Sequence, residues 1–193
     1  MRKVLAKICN ALILGLLVGL PSSLAWRSFK IIFTRFDYEA NANYLDVKIQ
    51  IQNDSETSLN IVANTYENVD DVYLTAAVAI ENDEGNLSEL LNRTVNLCKM
   101  LKQRNAEPLI RIIYEDLLNH GNIFKECPIQ KGSYSVHEYR LDEELLPSYL
   151  PETDFVVSIR LKTSKNVMLF SGKLYGRIDK SKGFNNLKMF SLG

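Results

Sequence analysis

The chain is short of the residues that most often carry chemistry. It holds two histidines, His120 and His137, and neither has the i,i+4 histidine or neighbouring cysteine that a zinc site needs. Both are expected to be solvated or hydrogen-bonded. No Gly-x-Ser-x-Gly, phosphate-binding loop or Gly-x-Gly-x-x-Gly occurs, so the usual signatures of serine hydrolases, nucleotide hydrolases and dinucleotide enzymes are missing. Charge of one sign is lacking too: 23 basic residues balance 23 acidic ones, which leaves no broad positive field for nucleic acid. No catalytic residue, metal ligand or cofactor site is expected, and the chain is not read as an enzyme.

Long apolar runs are also scarce. The run from Ile8 to Leu20, interrupted by Asn10, follows Arg2, Lys3 and Lys7 and leads to Pro21, Ser22, Ser23, Leu24 and Ala25. A basic start, a short apolar stretch and small residues at Ser23 and Ala25 are the pattern of a cleaved secretory leader. The stretch falls short of the about 20 apolar residues a membrane span needs. Cleavage after Ala25 would leave 168 of 193 residues, a usual length for one domain, and removes Cys9 along with three basic residues, shifting the formal charge from 0 to −3. The expectation is a leader over residues 1–25, one domain over 26–179 and a tail over 180–193, secreted, with no transmembrane segment after cleavage. Three sequons fit that route, at Asn53, Asn86 and Asn92.

What the chain does have is alternation. Phe29, Ile31 and Phe33 alternate with polar neighbours, as do Leu45, Val47, Ile49 and Ile51 with Asp46, Lys48, Gln50 and Gln52; this is the mark of a strand with one buried and one wet face. Leu59, Ile61 and Ala63 continue it, then Val72, Leu74, Ala76, Val78 and Ile80. Leu90 to Asn96 reads as a further strand. Later come Tyr134 to Leu141, the set Phe155, Val157, Ile159 and Leu161, and finally Val167 to Ile178 as one strand or a bent pair, with Gly172 and Gly176 as candidate bulge sites. Many strands between polar turns, with one helical insert, predict an antiparallel sandwich of two sheets.

The insert occupies Leu91 to Pro128. Leu97, Met100 and Leu101 suggest a short helix. Leu109, Ile110, Ile113, Leu117 and Leu118 recur at helical spacing, with Arg111, Glu115, Asp116 and Asn119 on the opposite side, Pro108 in the first turn and Gly121 past the end. Cys98 stands before this helix and Cys127 after it. A bridge between them would close a loop of about 30 residues and contribute roughly 3.5 kcal/mol in the chain-entropy model. No Cys-x-x-Cys spacing or flanking histidine favours redox or metal use, so a structural staple is the expectation.

Two charged stretches remain. Asp142, Glu143 and Glu144 read as a solvated turn or helix start rather than paired catalytic acids. Lys173, Arg177, Lys180, Lys182 and Lys188, interleaved with Phe184, Leu187, Met189 and Phe190, make a basic apolar end that is read as an exposed tail, with contact to an anionic surface as the alternative.

The stretch NRTVNLCKMLKQRN, then PLIRIIYEDLLNHGNIFKECP, then Leu146-Pro147 and TDFVVSIRL, resembles a large insect family of secreted proteins of unknown function. It is similar to the chemosensory CheB proteins and, more remotely, to the ML lipid-recognition superfamily that includes ganglioside activators. The likeness covers the insert and the strands after it, and the earlier strands only in outline. It implies an immunoglobulin-like cup whose sheets can part around an acyl chain, and it implies Cys98 bridged to Cys127. The chain departs from many relatives in having no cysteine between Trp26 and Asn96.

Such a cavity would draw on the inward positions Ile49, Ile51, Ile61, Leu74, Val78, Met100, Leu101, Ile113, Leu117, Phe155, Val157 and Ile159. The same residues would equally make an ordinary core. Two functions follow: a secreted carrier for a small hydrophobic ligand or lipid, chemosensory by resemblance and meeting an extracellular receptor, or an extracellular interaction module with a filled core.

Overall fold

The computed structural model describes residues 29–180, apart from 54–55, 83, 104–106 and 148–149. The expected leader, Trp26 and the tail beyond Lys180 lie outside the described residues.

Among the described residues, nine strands and two helices follow one another as β1 (Lys30–Ala40), β2 (Leu45–Asn53), β3 (Thr57–Thr65), β4 (Val72–Glu81), β5 (Leu87–Asn96), α1 (Leu97–Lys102), α2 (Pro108–Asn119), β6 (Gly121–Asn122), β7 (Gly132–Tyr139), β8 (Thr153–Thr163) and β9 (Met168–Asp179). They build two antiparallel sheets, a five-stranded one ordered β1-β9-β8-β4-β5 and a four-stranded one ordered β2-β3-β7-β6. The expected sandwich is present, and the helical insert is the crossover that carries the chain from β5 in one sheet to β6 in the other.

Alternation underlies most of these strands. In β2 the half-buried positions Leu45, Val47, Ile49 and Ile51 alternate with the exposed Asp46, Lys48, Gln50 and Gln52. In β1 the rhythm slips, because the register with β9 passes from Phe33↔Gly176 to Arg35↔Tyr175. Thr34 is the extra residue of a bulge, so Phe36 rather than Arg35 continues the inward row. The bulge expected at Gly176 therefore lies across from it. Gly176 is needed instead for close approach, since a Cβ there would stand 2.3 Å from Phe155 Cζ and 2.7 Å from the Ile32 carbonyl oxygen. Gly172 is likewise no bulge; its register is continuous, and its bare Cα admits the Phe36 and Phe170 rings. The bulge of β9 falls at Leu169, between its Met168 and Phe170 pairings with β8.

The interior divides into two clusters. Phe29, Phe33, Leu59, Val136, Tyr139, Phe155, Leu174 and Ile178 form one. Val69, Val72, Val95, Leu97, Met100, Ile129 and Leu169 form the other, beside the insert. Cys98 and Cys127 are bonded at that second end, with Cα atoms 5.6 Å apart.

Helix α2 corrects one expectation. None of its residues is fully buried, and Leu109, placed in the apolar stripe, is 46% exposed. The packed face keeps Ile110 and Leu117 of the expected stripe and adds Tyr114. Arg111, expected on the wet side, reaches back over α1, where its guanidinium donates to the carbonyls of Met100 and Gln103. The acidic run is the solvated turn expected of it: Asp142 caps a single 3-10 turn, Glu143–Leu145, by accepting from Glu144 N at 2.8 Å. At the basic end, Arg177 is engaged by Asp154, with Nε and Oδ1 2.6 Å apart; Lys182 and Lys188 lie outside the described residues.

Candidate functional site

A partly open cavity of about 180 Å³ lies between the sheets at the disulfide end. Both sheets contribute to it. Leu45, Ile61, Ala63, Tyr134 and Val136 come from the four-stranded sheet, Val72, Leu161 and Leu169 from the five-stranded one, and Leu97, Phe124 and Ile129 from the insert and its exit. The walls are hydrocarbon and aromatic, and two of the hydroxyls along them, those of Thr65 and Tyr134, are already committed. Tyr134 donates to the Gln130 carbonyl at 2.8 Å, and Thr65 donates to the same carbonyl at 3.0 Å while accepting from Gly132 N at 3.0 Å. Tyr114 donates to the Phe124 carbonyl, and burial raises its phenol pKa. A ligand here would find mainly apolar surface from which to displace water.

Of the twelve inward residues expected from strand alternation and helical spacing, only Ile61 lines this cavity. Ile49, Ile51, Leu117, Phe155 and Val157 belong to the packed cluster at the other end, where facing side chains already touch. Met100, Leu74 and Leu101 pack in the cluster behind the cavity wall without reaching it. Val78, Ile113 and Ile159 are half-buried away from it. Alternation names residues that face inward at mid-strand. The space opens at the strand ends, among Phe124, Ile129 and Leu169, which alternation does not single out. The sequence signal for Phe124 and Ile129 is their closeness to Cys127, since the clasp pins that segment over the sandwich end; Val69 and Ile129 exchange backbone hydrogen bonds there.

A separate polar group sits under α2. Asp116 Oδ1 is 3.9 Å from His120 Nε2, and the His120 ring meets the buried Tyr139 ring edge-on at 5.3 Å. Burial, and then the Asp116 charge, push the Tyr139 phenol far above its ordinary range. Among the described residues neither the phenol oxygen nor Asp116 Oδ2 has a well-formed hydrogen bond. None of the three lines the cavity, so they offer no chemistry to a ligand held there. His137 adds only a backbone bond, donating to the His120 carbonyl at 2.9 Å. Among the described residues no group of three His, Cys, Asp or Glu could hold a metal ion, and no helix is long and apolar enough to cross a membrane. The three sequon asparagines, Asn53, Asn86 and Asn92, are all exposed.

These features define a class: a disulfide-clasped antiparallel β-sandwich with an apolar space between its sheets. Comparison with known proteins adds two findings. A family model described as a protein of unknown function (DUF1091) matches residues 74–157, the stretch from β4 through the insert to mid-β8. Among solved structures the chain is similar to chicken MD-1, crystallised in complex with lipid IVa, at 13% identity and a TM-score of 0.38 over 77% of this chain and 96% of that one. No curated protein matches the chain.

Proposed function

We propose that this is a secreted, non-enzymatic protein that binds a small hydrophobic ligand or the end of a lipid chain. The observation that carries the proposal is the apolar cavity, walled by both sheets and lying at the end of the sandwich where the disulfide clasps the insert. The bond itself suits an oxidising compartment, in keeping with a leader over residues 1–25 and Trp26 as first residue of the mature chain. Binding would act by burial, each methylene taken from water contributing about 0.8 kcal/mol.

Size constrains the ligand. At about 180 Å³ the space is below the roughly 300 to 1,000 Å³ of drug-sized sites and near the about 150 Å³ apolar cavity that admits benzene. A ring or a short run of methylenes fits as the sheets stand. A longer chain would have to part them, entering along Ile61 and Val136, which belong to both the cavity wall and the packed cluster. The same small volume favours the second reading, an interaction module with a nearly filled core.

The full chain expressed in insect cells, purified from the medium and titrated with straight-chain alcohols of increasing length, separates the two. For the carrier, affinity should rise about fourfold per methylene and level off once the space is full, and Ala63→Leu should abolish binding while leaving the protein folded. No binding by the wild type at any length, with Ala63→Leu only raising stability, would support the filled-core module instead.

A further inference from the structure

From the outer face of the five-stranded sheet we infer that Asn92 carries an N-linked glycan whose first sugars lie in a groove built for them, covering the β5 edge; this rests on the secretory reading above. The groove has a volume of about 490 Å³ and is lined by Tyr73 and Thr75 of β4, Asn92 and Thr94 of β5, and Arg160 and Lys162 of β8, with the β8–β9 turn closing one end. Asn92 and Thr94 are the first and third residues of the sequon, and the register places both on this outer face, opposite Ala77 and Thr75. Ala77 leaves room beside Asn92. Tyr73, 36% exposed, offers a ring whose apolar face suits sugar C–H groups and whose hydroxyl stays wet. Thr75 and Thr94, with hydroxyl oxygens 2.9 Å apart, and Arg160 supply groups for sugar hydroxyls. Among the described residues no carboxylate lines the groove to claim the guanidinium.

The edge itself supplies the second observation. β5 ends its sheet and, among the described residues, presents a row of backbone groups with no partner strand over ten residues, with Leu87 59% and Leu90 52% exposed. Such edges invite pairing with another chain unless blunted by charged side chains, lysine above all, by proline, a bulge or a cover. β5 contains no lysine and no proline, and its two charges are Glu89 and Arg93, of which only Arg93 lies in the regular part of the strand. Its bulge, at Leu90, interrupts one part only; from Leu91 to Asn96 the register is regular. Asn92 lies within that regular part, where a glycan would exclude a second strand.

The test uses the full chain secreted from insect cells. Peptide mapping should find Asn92 glycosylated, and a peptide-N-glycosidase should release its glycan several-fold more slowly from native than from denatured protein. Tyr73→Ala with Arg160→Ala should remove that protection at Asn92 and leave release at Asn53 and Asn86 unchanged. Asn92→Gln should make the protein self-associate in sedimentation runs, whereas Thr94→Ser, which keeps the sequon, should stay monomeric. An unmodified Asn92 in secreted protein glycosylated at Asn53 or Asn86 would overturn the inference and leave secretion standing, as would native release at Asn92 as fast as from denatured chain. Retention in the cell with all three sites bare would overturn both.

Discussion

At the scale of single residues, burial decides what each polar group can do. Tyr139 is 5% exposed, and its phenol oxygen has no well-formed hydrogen bond among the described residues. The Asp116 carboxylate is close enough to act on the phenol by hydrogen bonding as well as by charge, so Tyr139→Phe removes a poorly formed contact together with a buried hydroxyl and should change stability at neutral pH by no more than about 1 kcal/mol. The phenol pKa is raised above its ordinary 10.0 by burial and then by Asp116. For a group whose folded value is raised, the stability is fully present below the unfolded value and is lost as pH climbs from there toward the folded one. Above pH 10 the wild type should therefore lose about 1.4 kcal/mol per pH unit from this group, and Tyr139→Phe should lose correspondingly less in urea titrations on either side of that pH. Equal losses in both proteins would show that Tyr139 is not the group responsible. That burial is invisible in the sequence, where Tyr139 stands in a short apolar-polar run and Asp116 sits on the helix side expected to face water.

At the scale of elements, legibility follows regularity. β2 and β8 can be read from strict alternation, and α2 from apolar spacing between Pro108 and Gly121. Gly121 reads as a helix stop, yet its sharper constraint is tertiary: a Cβ there would lie 1.9 Å from the Ser135 carbonyl oxygen. Thr34 is unreadable as a bulge because nothing local marks it; it shows only in the pairing with Gly176 and Tyr175 across the sheet. The packed face of α2 keeps Ile110 and Leu117 of the stripe that spacing suggests but leaves Leu109 exposed, and Arg111 satisfies α1 carbonyls that a sequence does not show as open. The helix is weakly fixed for its length. It starts from Glu107 at a left-handed φ of 51° with no side-chain cap and buries no residue fully. The disulfide that closes the loop around α2 is thus a main constraint on it, whereas α1 is also fixed by the buried Leu97 and Met100. Replacing Cys98 and Cys127 together with serine should lower stability by about 2 to 5 kcal/mol in urea unfolding. A double variant as stable as the wild type, or free reactive thiols in the secreted protein, would end the staple reading.

At the scale of the whole molecule, the two clusters should differ in how easily they open. The cluster around Phe33, Phe155 and Leu174 joins β1, β9 and β8, the three strands at the middle and far edge of the larger sheet, and includes the close approach of Gly176 to Phe155. The cluster by the disulfide contains the cavity, and a cavity forfeits the dispersion contacts its lining would otherwise make. Local opening free energies follow contact density. Amide exchange should therefore be slowest in the centres of β8 and β9, faster at Thr65, Tyr134 and Val136 around the cavity, and fastest in α2, which relies on the disulfide more than on packing. An alcohol held in the cavity should slow exchange at Tyr134, Val136 and Leu161 and leave the Phe155 region unchanged, because only the first set touches the ligand. If α2 exchanged as slowly as β8, the helix would be part of the cooperative core. If the ligand slowed the Phe155 region instead, it would have entered by parting the packed half, and the cavity at the clasped end would not be its seat.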